Sequence, residues 1–131
     1  MAIIDASIGT YHYQTALASA TNTYIADEPL AQGGGDEGFS SSELLASALA
    51  TCTCVTLRMY ADRKGWPLTG VHAKVEFTRD SKLNVTNITR RISFEGELTD
   101  EQRTRLLTIA NSCFIHKTLT NPINISTSLN P

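Results

Sequence analysis

Before Arg58 the chain contains no lysine or arginine, and all eleven basic residues lie from that position onward. The first half carries only the acids Asp5, Asp27, Glu28, Asp36, Glu37 and Glu43. With a formal net charge of −2 over 131 residues, no clustered basic face is available to track a phosphate backbone, so nucleic acid is not an expected partner. The glycine run Gly33-Gly34-Gly35 is followed by no Gly-Lys-Ser/Thr, and without that lysine it is no phosphate loop. The opening Met1-Ala2-Ile3-Ile4-Asp5 lacks the basic start and apolar core of a secretory signal. The charge-free run Leu44 to Leu57 reads as too short and too rich in Thr and Ser to cross a bilayer. These absences point to a cytoplasmic protein with no membrane partner, where three cysteines remain reduced and an odd count is no anomaly.

With 41% hydrophobic and 18% charged residues, the chain is long enough for one domain, 1–131, with a core of its own. Residues 1–30, rich in Thr, Tyr, Ile and Ala, read as short antiparallel strands. Ser40 with Glu43 three residues later forms a capping box, opening a helix expected over 40–64 that ends near Gly65 and Pro67. Leu45, Ala48, Leu49, Cys52, Thr56 and Met59 recur at three and four residues, while Ala46, Ala50, Leu57 and Ala61 supply a second apolar face. A helix apolar nearly all round is expected to be buried on every side.

Residues 70–97 read as a hairpin. Val71, Ala73, Val75 and Phe77 share one face of its first strand, and Ile88, Ile92 and Phe94, separated by even numbers of residues, share one face of its second. Thr99 and Gln102 make a second capping box that opens helices over 99–119, and residues 122–129 read as a closing strand. The whole predicts an α+β fold.

The thiols are the candidate chemistry. Cys52-Thr53-Cys54 and Cys113-Phe114-Ile115-His116 together resemble four metal ligands. Residues two apart on a helix, however, point roughly 200° from one another, so Cys52 and Cys54 do not converge on one ion and no metal or other cofactor is expected. Cys54 reads as a small buried hydrophobe. Cys113 begins a helical turn, where unpaired amides favour an anion, and His116 follows one turn later. Such a setting suits a nucleophilic or redox-active thiol.

The array Ser40-Ser41-Ser42-Glu43-Leu44-Leu45-Ala46-Ser47-Ala48-Leu49-Ala50-Thr51-Cys52, the run Thr56 to Ala61, and Cys113-Phe114-Ile115-His116-Lys117-Thr118-Leu119 together resemble the OsmC/Ohr family of osmotically inducible and organic hydroperoxide resistance proteins. The resemblance implies an OsmC-like fold, with antiparallel sheets around a long central helix that bears the cysteine, in an intertwined homodimer. It also implies a thiol-dependent peroxidase that reduces organic hydroperoxides. Cys52 matches the peroxidatic position and Cys113 the resolving one, with an external dithiol as reductant. An apolar pocket lined by Phe39, Leu49 and Met59 is the expected substrate site.

The best-studied members hold the thiolate with an arginine from the N-terminal half, which this chain lacks. His116, Lys117 or Arg58, from either subunit, is then left to supply the charge. Ser42 stands where those members carry a glutamate, so Glu43 is one step away and has its capping role to explain it, and Phe114 stands where a proline is common. The alternative is a dimeric OsmC-like binding or stress protein with an apolar pocket and little or no peroxidase turnover.

Overall fold

The computed structural model describes all residues, Met1 to Pro131. The elements are those of an α+β protein with two antiparallel sheets and one long helix. The chain divides into two compact units, Met1–Leu45 and Ala46–Pro131, with the boundary inside the long helix.

In the first unit, β1 (Asp5–Ile8), β2 (Thr15–Ala18) and β3 (Thr23–Ala26) form an antiparallel sheet in the order β1-β2-β3. A loop returns to the sheet where Phe39 bridges Ala26 in parallel. The loop is organised by one carboxylate: Asp27, only 3% exposed, accepts from the amides of Tyr13, Glu28, Gly35 and Glu37 at 2.7 to 3.3 Å. Burial alone raises the pKa of such a group, and here the four amides outweigh it and hold Asp27 below the usual carboxylate range.

The long helix α1 (Ser41–Lys64) starts at the expected capping box. The Glu43 amide donates to the Ser40 hydroxyl at 3.3 Å, and the Ser40 amide donates to the Glu43 carboxylate at 2.9 Å. The helix ends at Gly65, whose φ of 68° is the left-handed turn that glycine accepts without a Cβ penalty.

In the second unit, β4 (Gly70–Asp80) pairs with β5 (Val85–Glu95) over eleven residues, from Gly70 opposite Glu95 to Asp80 opposite Val85. The predicted inner face is half-buried at Val71, Ala73, Val75 and Phe77, and on β5 at Ile88, Arg90, Ile92 and Phe94. Gly96, at φ 128°, lets the chain pass against the Pro67 carbonyl, where a Cβ would collide. Then α2 (Asp100–Ala110) opens on the complete Thr99/Gln102 box, and α3 (Phe114–Leu119) is preceded by Cys113 as its N-cap residue.

The core of this unit joins Leu57 and Ala61 of α1 to Leu68 and to Leu106 and Ala110 of α2. Trp66, Val71, Ile92 and Phe94 pack around it.

Three expectations meet the fold. First, the chain by itself buries only one stripe of the helix, Leu49, Thr53, Leu57 and Ala61 at four-residue spacing, and leaves the rest of an all-round apolar helix to be covered from outside the chain. Leu45, Val55 and Met59 are exposed. Apolar character all round records what a helix can cover, and within this chain only one side is covered. Second, α1 at 24 residues is long and apolar enough by composition to cross a membrane, unlike the shorter Leu44 to Leu57 run. Its buried stripe is instead packed into the core against α2. Third, residues 122–129 pair with no strand, and Ile123, Ile125 and Leu129 are exposed. Alternation suits a strand only where a partner edge is available.

Candidate active site

The second unit brings Cys52 and Cys113 together. Cys52 lies at the middle of α1, half-buried, while Cys113 caps α3 and is fully buried. All three cysteines are free thiols. The Cys113 thiol stands close enough to the Cys52 sulfur to shift its pKa. The Ile115 amide donates to Cys52 Sγ at 3.5 Å, and the Thr56 hydroxyl is 4.0 Å away on the next turn of α1.

These contacts divide the two thiols chemically. Burial raises the pKa of Cys52, but the Cys113 thiol, the Ile115 amide, the Thr56 hydroxyl and the Phe114 amide together outweigh it, and the net shift is downward. For Cys113 burial pushes the pKa up, and its position as donor to Cys52 pushes it further. The more acidic thiol is therefore Cys52. This is the polarity a nucleophile and its partner need.

None of the cations expected beside Cys52 reaches it from within its own chain. Arg58 donates to Asp62 through Nε at 3.0 Å and Nη2 at 2.6 Å, and to the Leu68 carbonyl, at the far end of α1. Lys117 is exposed on α3. His116 stands beside Arg90, whose Nη2 is 3.3 Å from its Nδ1. A guanidinium only donates, so Nδ1 must accept and the imidazole is neutral with its proton on Nε2. Burial first, and then the Arg90 charge, hold the His116 pKa below its ordinary value. Glu43 is committed to the helix cap, which holds its pKa low through the Ser40 amide and hydroxyl.

Arg90 is the residue that sequence reasoning missed. Its Nη1 donates to the Thr53 hydroxyl at 3.0 Å and the Ala110 carbonyl at 3.2 Å, and its Nη2 donates to Asn111 Oδ1 at 2.9 Å. The signal was present: Arg90 is in phase with Ile88, Ile92 and Phe94 on the inward face of β5.

A cleft of about 480 Å³ lies in the second unit, bordered by Arg90 and His116. Leu49, Ile88, Ile92, Leu107 and Leu119 give it apolar walls, and Arg90, Asn111 and His116 a polar end. Of the three residues expected to line a pocket, Leu49 does. Met59 is 57% exposed and lies outside the lining. Phe39, 55% exposed, belongs to the first unit. No three His, Cys, Asp or Glu side chains gather as a set of metal ligands.

Residues 33–128 match the model of the OsmC family, described as OsmC-like protein. The chain belongs to this family. No curated protein matches it. Among solved structures it is similar to an OsmC-like protein from Mycoplasma pneumoniae, with 17% identity, 92% of this chain and 87% of that one covered, and a TM-score of 0.79. It is also similar to a candidate osmotic stress induced and detoxification response protein from Psychrobacter arcticus, with 23% identity, coverages of 90% and 88%, and a TM-score of 0.77. A third similar structure is the organic hydroperoxide resistance protein OhrB of Bacillus subtilis, with 19% identity, coverages of 90% and 89%, and a TM-score of 0.64. At these identities the OsmC-like likeness is one of fold.

Proposed function

We propose that this OsmC-like protein is a thiol-dependent peroxidase that reduces organic hydroperoxides through Cys52 and Cys113. The observation that carries the reading is the donation of the Ile115 amide to the Cys52 sulfur at 3.5 Å, with the Cys113 thiol close by, in a setting that holds the Cys52 pKa down. The Cys52 thiolate attacks the terminal peroxide oxygen and the O–O bond breaks. Its electron pair leaves on an alkoxide, which takes a proton from water and departs as the alcohol. Cys52 is thereby oxidised by two electrons to a sulfenic acid. The Cys113 sulfur, on losing its proton, displaces the hydroxyl as water and forms a disulfide, and an external dithiol reduces that disulfide and is itself oxidised to one. The apolar walls of the cleft favour alkyl hydroperoxides over hydrogen peroxide.

The protein acts as a cytoplasmic homodimer in this reading. The exposed apolar residues Val55 and Met59 on α1, and Ile123, Ile125 and Leu129 in the unpaired C-terminal segment, are surface that a second copy would cover. Size-exclusion chromatography checks this: a monomer that persists on concentration contradicts it.

One observation favours a second reading. Neither cysteine sulfur lines the cleft, which suits a protein that binds an apolar molecule there with little turnover. Peptide mapping by mass spectrometry after addition of cumene hydroperoxide separates the two. The peroxidase reading expects a Cys52 to Cys113 disulfide formed ahead of any Cys54 oxidation; if neither thiol oxidises faster than Cys54, the binding reading stands.

A further inference from the structure

We propose that Arg90 is a positioning residue for the thiol pair: it fastens to one another the three helical segments that bring the α3 amides and the Cys113 thiol onto Cys52. It touches neither sulfur. Its contacts fall on each segment that meets at the junction: Thr53, which follows Cys52 in α1, Ala110 and Asn111, which close α2 and precede Cys113, and His116 on α3.

Two of these contacts are shared with the backbone of the site. The Ala110 carbonyl that receives Arg90 also accepts the Cys113 amide at 3.3 Å, so one oxygen fixes the arginine and the start of α3 together. The Thr53 hydroxyl is fully buried and gives its proton to the Leu49 carbonyl at 2.7 Å. Its lone pair is thereby turned to the guanidinium.

The clamp requires the shape of arginine as well as its charge. The salt bridge of the chain is Arg58 to Asp62, and the acceptors around Arg90 are a hydroxyl, a carbonyl, an amide oxygen and an imidazole nitrogen, all neutral. A planar fork reaches four acceptors on three segments at once, whereas an ammonium at the end of a flexible stem has three donors and no fixed plane. The ionisable groups at the junction are Cys52 from α1, Cys113 and His116 from the α3 segment, and Arg90 itself from β5.

The inference rests on the reading that Cys52 is the reacting thiol, and its test involves no peroxide. The rate of iodoacetamide labelling of Cys52, resolved by peptide mass spectrometry, is measured against pH for the wild type, Arg90→Met and Arg90→Lys, with circular dichroism to establish that each is folded. Both variants are expected to label Cys52 about tenfold more slowly at pH 7, as loss of one hydrogen bond to a charged group implies. The labelling midpoint should move to higher pH, and the plateau rate at high pH should be retained. Where Arg90→Met does not fold, Arg90→Lys and Thr53→Val, which removes the α1 anchor alone, carry the same expectation. Wild-type labelling by Arg90→Lys would show that charge alone acts and would overturn the clamp. A lowered melting temperature with an unmoved midpoint in the folded variants would overturn it too, by reducing Arg90 to a stability role. Either result leaves peroxide turnover to be judged separately.

Discussion

The backbone amide of Ile115 donates to the sulfur of Cys52 across 3.5 Å and 63 residues of sequence. It is among the groups that lower the pKa of Cys52, with the Cys113 thiol and the Thr56 hydroxyl. No basic residue precedes Arg58, and within the chain the groups that favour the Cys52 thiolate are uncharged donors, chiefly from the start of α3.

Replacing Cys113 by alanine removes a thiol that lowers the Cys52 pKa by hydrogen bonding. Because a hydrogen bond to a charged group contributes about 1.5–3 kcal/mol, alkylation of Cys52 at pH 7 is expected to slow by about tenfold or more, with its pH midpoint moved upward. Labelling kinetics resolved by peptide mass spectrometry measure this.

His116 makes stability depend on pH. Its folded pKa is lowered by burial and by Arg90, so on acidification the unfolded chain takes up the proton first. Its contribution is therefore complete above the unfolded value of about 6.5, and stability falls as pH drops through that value toward the folded one. Urea unfolding at pH 7.5 and pH 5.5 should show a smaller acid-induced loss in His116→Asn than in the wild type.

The phase of α1 and the even spacing on β5 were both legible in the sequence, and so were the two capping boxes. Phase assigns residues to faces, however, and does not say which face the chain itself covers. Hence Met59, in phase with Cys52, is exposed, while Thr53, outside both predicted faces, is fully buried. Arg90 carries a charge between Ile88 and Ile92, and a charge ordinarily marks a solvent face, although its spacing places it inward. Its acceptors lie on three segments brought together only by folding, so their number was invisible. The closing strand failed for a related reason: Ile123 and Ile125 alternate correctly, but no edge within the chain receives them.

Leu57 is fully buried between α1 and α2. Leu57→Ala is expected to destabilise the fold by about 2–5 kcal/mol through lost burial and the cavity left behind. Denaturant unfolding measures the loss, and a change below about 1 kcal/mol would contradict this core placement.

Asp27 should stabilise its loop only while ionised. Its folded pKa lies below the unfolded value, so the contribution is present above that value and is lost as pH falls through it toward the folded one. Asp27→Asn should be less stable than the wild type at pH 7, with the difference shrinking as pH is lowered below 4. Thermal unfolding at both pH values tests this.

The central claim is most directly tested by steady-state consumption of cumene hydroperoxide with dithiothreitol as reductant, comparing the wild type with Cys52→Ser and Cys54→Ser. The account predicts turnover above the rate of dithiothreitol alone in the wild type and in Cys54→Ser, and none above that background in Cys52→Ser. Undiminished turnover in Cys52→Ser, or none in the wild type, would contradict it.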